Sequence, residues 1–70
     1  MMNIKSTMAG MVFHIDVKLG EEIVEGQPVV ILESMKMEIP VESTVNGAVR
    51  EILVQEGDFV NEGDVLVVIS

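Results

Sequence analysis

A chain of 70 residues with a net charge of −8 and no cysteine can form one small domain, which has to be stabilised by packing instead of disulfides. Thirteen valines and seven isoleucines dominate its apolar residues, and side chains branched at Cβ favour strands over helices. The negative charge excludes binding of nucleic acid through its phosphates and disfavours contact with anionic membranes. The absence of cysteine is compatible with the cytosol, and we expect a cytoplasmic protein that is a monomer when isolated.

The first half of the chain contains two clear predicted strands. After a weak candidate over Asn3–Thr7, the residues of Met11–Lys18 alternate between apolar and polar types, which is typical of a half-buried strand. The face turned towards the core is predicted to contain Met11, Phe13, Ile15 and Val17. Val29–Glu33 is apolar at nearly every position, which indicates a central strand.

The second half repeats this organisation in the segments Ala48–Gln55 and Val65–Ile69. Arg50 stands where the first copy has Phe13, and we expect its charged end to reach solvent at an end of the barrel. Met37–Val41 is predicted to be an edge strand because Pro40 has no N–H group to donate.

The connections between these strands are predicted to be tight turns. Residues 20–26 and 57–63 each begin and end with glycine, which permits positive φ, and Asn46-Gly47 is a further turn signal. Phe59 has no aromatic counterpart in the first loop and is predicted to belong to the core. His14 has neither a second histidine nor a cysteine to complete a metal site, so no metal is expected.

The two halves form an internal repeat. A shift of 37 residues aligns 10–33 with 47–70 without a gap. The identical pairs include Gly10/Gly47, Val12/Val49, Ile15/Ile52, Gly20/Gly57 and Gly26/Gly63. Two related strand–turn–strand units can bury both apolar faces only against each other. We therefore predict one all-β domain over residues 1–70, a flattened antiparallel β-barrel or sandwich of about eight short strands with pseudo-twofold symmetry.

The segment Glu33-Ser34-Met35-Lys36-Met37-Glu38 connects the two copies. It is predicted to form an exposed hairpin with Lys36 at its tip. Most surface lysines have no special function, but methionines on both sides of an exposed lysine are suited to contact with protein surfaces. Because a hairpin tip offers no cavity in which a lysine could be activated, Lys36 is better interpreted as the substrate of another enzyme.

This segment resembles the attachment motif of biotinyl domains, in which the lysine between two methionines is biotinylated. The paired glycine loops, Gly10, Gly47 and the closing strand extend the similarity to the biotinyl/lipoyl attachment family over almost the whole chain. The resemblance implies that a biotin protein ligase attaches biotin to Lys36, and that recognition by this ligase involves Met35, Met37, Glu33 and Glu38. It further implies a biotin carboxyl carrier that is not itself catalytic. A biotin carboxylase would load the biotin with a carboxyl group, and a carboxyltransferase would pass that group to an acceptor.

Two alternatives remain open from the sequence. A lipoyl carrier, or an acceptor of both biotin and lipoate, would use the same Lys36, although lipoyl domains usually place an acidic residue before the lysine. Met35 and Met37 favour biotin. An unmodified adaptor barrel would require helical hairpins beside the domain, and no stretch of this chain has helical periodicity.

Overall fold

The computed structural model describes residues 1–70 and contains eight β-strands. They are β1 (Met2–Lys5), β2 (Gly10–Ile15), β3 (Glu22–Ile23), β4 (Pro28–Ser34), β5 (Met37–Glu42), β6 (Gly47–Ile52), β7 (Phe59–Val60) and β8 (Val65–Ile69). The structure has no helix that could cross a membrane.

The strands form two four-stranded antiparallel sheets, with the orders β1-β8-β6-β3 and β5-β4-β2-β7. This arrangement confirms the predicted all-β fold. The two most apolar strands, β4 and β8, lie inside their sheets, as their composition predicted. Strand β5 lies at an edge, where the missing N–H of Pro40 costs little.

The structure extends the internal repeat to β1 and β5. A shift of 37 residues converts the order of the first sheet, strand by strand, into that of the second. Ser6 and Ser43, which follow these two strands, are both buried. Each donates its hydroxyl hydrogen over 2.6 Å, to the carbonyl of Met8 and of Val45 respectively. The Ser-Thr pairs at 6–7 and 43–44 are the sequence signal of this extension.

A single aliphatic core fills the space between the sheets. Thirteen buried residues form it: Ile4, Val12, Val17, Ile23, Val29, Val30, Leu32, Val41, Val49, Val60, Leu66, Val67 and Ile69. Ile15 and Ile52 are only partly buried and pack against its margin.

The predicted inner face of β2 is wrong at its first two positions, because the strand contains a bulge. Val12 pairs with Leu32, but His14 already pairs with Ile31, so one extra residue is inserted between them. As a result Val12 is fully buried, whereas the side chains of Met11 and Phe13 face solvent. Beyond the bulge the alternation is reversed, and Val17 points inwards.

The second repeat has the same irregularity in β6. Val49 pairs with Ile69 and Glu51 with Val68, so the extra residue is Arg50. Its predicted exposure is confirmed. The cause is the bulge and not a position at the end of the barrel.

The glycine-bounded turns are confirmed, because Gly20, Gly26, Gly57 and Gly63 all have positive φ. The short strands β3 and β7 within these loops insert Ile23 and Val60 into the core. The placement of Phe59 in the core is wrong, since this side chain is 69% exposed.

The predicted Asn46-Gly47 turn is also wrong. The chain bends at residues 44–45, and Gly47 is already the first residue of β6.

Candidate functional site

The site predicted around Lys36 lies on the hairpin that connects β4 to β5. Ser34 and Met37 form the last residue pair of the two strands, so Met35 and Lys36 alone make the turn. Both have left-handed backbone conformations, with φ of 53° and 64°. Two successive residues of positive φ are typical of a type I′ turn, whose twist matches that of a hairpin.

Such a turn normally contains asparagine and glycine, and left-handed residues with a Cβ are disfavoured by roughly 1–2 kcal/mol each. Met-Lys is thus an unfavourable sequence for this conformation. Backbone strain of this kind is concentrated at functional sites, where the surrounding structure imposes it.

The tip of the hairpin is open to solvent on the side of the lysine. Met35 is 91% exposed and Met37 is 61% exposed, although both are large apolar side chains. Lys36 is exposed as well, and the ion pairs of the structure involve only His14. The amine therefore has no carboxylate partner within 4 Å.

Two acids lie at the base of the tip. Glu33 and Glu38 are direct cross-strand neighbours, one residue pair below Ser34 and Met37. Glu38 is exposed and Glu33 is partly buried. The structure thus brings all the predicted site residues together on one hairpin, with the negative charges set back from the amine.

Gly10 supports the base of this hairpin. It is buried at the start of β2, and a Cβ added there would lie 2.9 Å from the carbonyl oxygen of Glu33. No side chain fits without a shift of the β4 backbone. Gly47 has the same relation to Ser70 in the second repeat, at 2.7 Å. Glu33 at the base of the hairpin and Ser70 after β8 therefore occupy equivalent places of the fold.

Comparison with known proteins identifies the family of the chain. Residues 1–69 match the family described as "Biotin-requiring enzyme". The chain belongs to the biotin/lipoyl attachment family. The resemblance inferred from the Met-Lys-Met segment is thereby confirmed.

Individual relatives agree with this assignment. The chain is 52% identical to the "Biotin/lipoyl attachment protein" of Bacillus subtilis (strain 168), over 99% of this chain and 94% of that protein. It is 43% identical to the "Biotin carboxyl carrier protein of acetyl-CoA carboxylase" of Solanum lycopersicum, over 80% of each. The second name, together with the family description, favours a biotin carrier over a lipoyl carrier and agrees with a carrier that is not itself catalytic.

A solved structure places the same fold inside a carboxylase. The urea carboxylase of Kluyveromyces lactis superimposes with a TM-score of 0.93 and 33% identity, over 99% of this chain. The matched region is only 6% of that enzyme's chain. The attachment domain thus corresponds to a small part of a much larger carboxylase.

The geometry of this attachment domain fits a covalently bound biotin. The ε-amine of Lys36 extends from a turn that no other element covers, and an acyl group joined to it would extend into solvent. The one cavity of the domain, with a volume of about 390 Å³, lies elsewhere. Its lining includes Glu25, Pro40 and Thr44 and none of residues 33–38.

His14 takes part in a different contact. Its Nε2 and Nδ1 atoms each lie 3.1 Å from a carboxylate oxygen, of Asp16 and Glu56 respectively. Glu56 also accepts a hydrogen bond of 3.3 Å from the N–H of Ile15. Together these contacts attach the loop after β6 to the end of β2. No three His, Asp or Glu side chains, these included, are placed so that they could hold a metal ion.

Sequence reasoning missed two features of the site. It did not identify Gly10 as the support of the hairpin, although the glycine shared by both copies was the available signal. It also could not find the left-handed turn, because Met35-Lys36 lacks the residue types that indicate one.

Proposed function

We propose that Lys36 is the residue to which a biotin protein ligase attaches biotin, and that the domain is a monomeric, cytoplasmic carrier serving a biotin carboxylase and a carboxyltransferase. The observation that supports this most directly is the left-handed Met35-Lys36 turn, which holds an unpaired amine at an exposed tip. The names of the relatives support the carboxylase partners.

In the attachment reaction Lys36 is the nucleophile. Its ammonium group gives up a proton, and the free amine attacks the carboxyl carbon of biotinyl-adenylate, so that an amide bond forms and AMP leaves. Because no carboxylate of the hairpin lies within 4 Å of the amine, the domain itself offers no base, and the proton passes to the ligase or to solvent. The two methionines are available to contact the ligase from both sides of the lysine.

The domain itself contributes to the reaction by positioning the cofactor. Biotin, when bound, supplies a ring nitrogen that can take up a carboxyl group at one enzyme and give it up at another. The hairpin fixes the base of the arm with a two-residue turn, while the lysine side chain stays free to move. Tethering in this way raises the concentration of the cofactor near each active site.

The proposal is tested by the mass of the modified protein. Wild-type chain co-expressed with a biotin protein ligase should gain the mass of one biotinyl group, and Lys36→Arg should gain none. Lys18→Arg is the matched control, because it changes another exposed lysine and should leave the modification complete. A biotinyl group on the Lys36→Arg protein would refute the assignment of the site.

An acceptor of both biotin and lipoate is the second candidate, favoured by the name of the Bacillus subtilis relative. The same lysine would serve both groups. Intact mass of the protein purified from its own cells distinguishes the two, because biotin and lipoate add different masses.

A further inference from the structure

The outer surface of the sheet β5-β4-β2-β7 carries three large exposed apolar side chains. Phe59 is 69% exposed, Phe13 46% and Met11 38%. Phe59 and Met11 are direct cross-strand neighbours on β7 and β2. Phe13 occupies the bulge of β2, two residues beyond Met11. We call these three side chains the apolar patch.

The internal symmetry shows that the fold does not require this patch. The second repeat has Ala48, Arg50 and Glu22 at the three equivalent positions, on the outside of the other sheet. Those residues occupy the same strands, bulge and turn without exposing large apolar groups. At these three positions only one of the two repeats exposes large apolar side chains, and clustered exposed apolar surface is typical of interaction sites.

The apolar face is the one continuous with the attachment hairpin. Met11 pairs with Glu33 on its other side, and Glu33 pairs with Glu38. Phe59, Met11, Glu33 and Glu38 therefore form one row across the four strands. The hairpin tip begins one residue pair beyond this row.

We propose that the apolar patch is the surface through which the domain docks onto its biotin carboxylase. This inference rests on the proposed function, because it assigns a second contact to the same carrier.

The charges around the patch indicate the kind of partner. Acids lie beside it on a chain of net charge −8, since Glu33 pairs with Met11, Asp58 precedes Phe59, and Glu56 contacts His14, the residue after Phe13. A second copy would bring the same acids against one another in a twofold contact, which is unfavourable. The complementary partner has an apolar surface surrounded by lysine and arginine. A biotin carboxylase binds two anions, ATP and bicarbonate, so positive charge is concentrated around its active site.

The position of the patch favours the carboxylase over the ligase. At about 3.3 Å per residue along a strand, Met11 and Phe59 lie about 7 Å behind the turn, and Phe13 lies further back. The ligase has to take up the lysine amine itself, so it contacts the tip. A carboxylase takes up the far end of the biotinylated arm, which lets it contact the body of the domain behind the tip.

The test transfers the polar face of the second repeat to the first. The variant Met11→Ala/Phe13→Arg/Phe59→Glu introduces residue types that the same fold already contains at positions 48, 50 and 22. Leu53→Ser is the control, because Leu53 is another exposed apolar residue, 51% exposed, outside the patch. Each protein is fully biotinylated, and ADP release by the biotin carboxylase of the same cells is measured with ATP and bicarbonate.

We expect the kcat/KM of the carboxylase for the biotinylated triple variant to fall by about tenfold or more, mainly through a higher KM, since truncated interface anchors have effects of this size. The rate with free biotin, the rate of biotinylation by the ligase, and the kcat/KM for Leu53→Ser should stay within about twofold. Phe59→Glu alone should lower this kcat/KM by a smaller factor, and it replaces the triple variant in the test if the triple variant does not fold.

Three results would overturn the docking surface while leaving the proposed function intact. The first is an unchanged kcat/KM for a variant that folds. The second is an equal loss in the ligase reaction, which would mean that the patch contacts the ligase. The third is a wild-type dimer in light scattering that the triple variant abolishes, which would mean that a second copy covers the patch. Failure of the wild-type protein itself to become biotinylated or carboxylated would refute the proposed function instead.

Discussion

The two repeats have corresponding backbone hydrogen bonds. In the first repeat the N–H of Asp16 donates to the carbonyl of Val29 over 2.9 Å, and in the second the N–H of Leu53 donates to the carbonyl of Leu66 over the same distance. The turns correspond as well, because Gly20 bonds to Val49 and Gly57 to Val12, both over 2.8 Å. Each of these two turn bonds joins one repeat to the other. The residues that build the fold are thus nearly twofold symmetric.

The two repeats differ where they meet solvent. Met35 and Lys36, which follow β4, are the only non-glycine residues of positive φ. The outer faces differ as well, since Phe59 is replaced by Glu22 at the equivalent position. The His14–Glu56 contact has no counterpart either, because Glu51 and Leu19 occupy the equivalent positions. Features that occur in only one repeat are not required by the fold, so they are the candidates for function.

The largest expected effect concerns a symmetric pair of core residues. Leu32 and Ile69 occupy equivalent positions, and both are almost fully buried. Leu32→Ala and Ile69→Ala should each lower the free energy of unfolding by roughly 2–5 kcal/mol, because each leaves a cavity between the sheets. Urea denaturation measures this loss.

Lys36→Ala is the control for these two variants. It should change the free energy of unfolding by less than about 0.5 kcal/mol, since the side chain is exposed and unpaired. A large loss from Lys36→Ala, together with mild losses from the two core variants, would contradict the separation between fold and attachment site.

The same separation explains which parts of the structure could be predicted. The repeat and the apolar strands were sufficient for the fold class, the central strands and the position of Lys36. The bulges could not be predicted, because an extra residue in β2 is defined by its pairing with β4 and not by its own alternation. The exposed Phe59 was placed in the core because a lone phenylalanine is usually buried there. The internal symmetry identifies it as an exception, but only after the structure shows both outer faces.

Substitution of the two equivalent glycines, Gly10 and Gly47, compares the two repeats more directly. Gly47 has a φ of 153°, and a Cβ there would lie 2.6 Å from Ile69 and 2.7 Å from the carbonyl oxygen of Ser70. Gly47→Ala should therefore lower the free energy of unfolding by roughly 1–3 kcal/mol and leave the rate of biotinylation per folded molecule unchanged. Gly10→Ala forces a similar contact, but with the backbone of Glu33 at the base of the hairpin.

For Gly10→Ala we expect a loss of stability of similar size and, in addition, slower biotinylation, because the shift is transmitted to the turn that carries Lys36. Initial rates with the biotin protein ligase, measured below the melting temperature of both variants, compare the two positions. Equal rates for the two variants would mean that the hairpin tolerates movement of its base.

The smallest expected effect on stability, and the most specific effect on function, comes from the two methionines beside the lysine. Met35→Asp with Met37→Ala makes the tip similar to a lipoyl attachment motif while β4 and β5 keep their register. Since both side chains are exposed, the melting temperature and the far-UV circular dichroism spectrum should be almost unchanged. The ligase has to hold the amine close to an activated carbonyl carbon, so the loss of two contacts beside that amine should slow biotinylation by about tenfold or more. Lipoylation by a lipoyl ligase should hold or rise. An undiminished rate of biotinylation would mean that the ligase recognises the position of the hairpin alone, and the exposure of Met35 and Met37 would then have to serve the later encounter with the carboxylase or the carboxyltransferase.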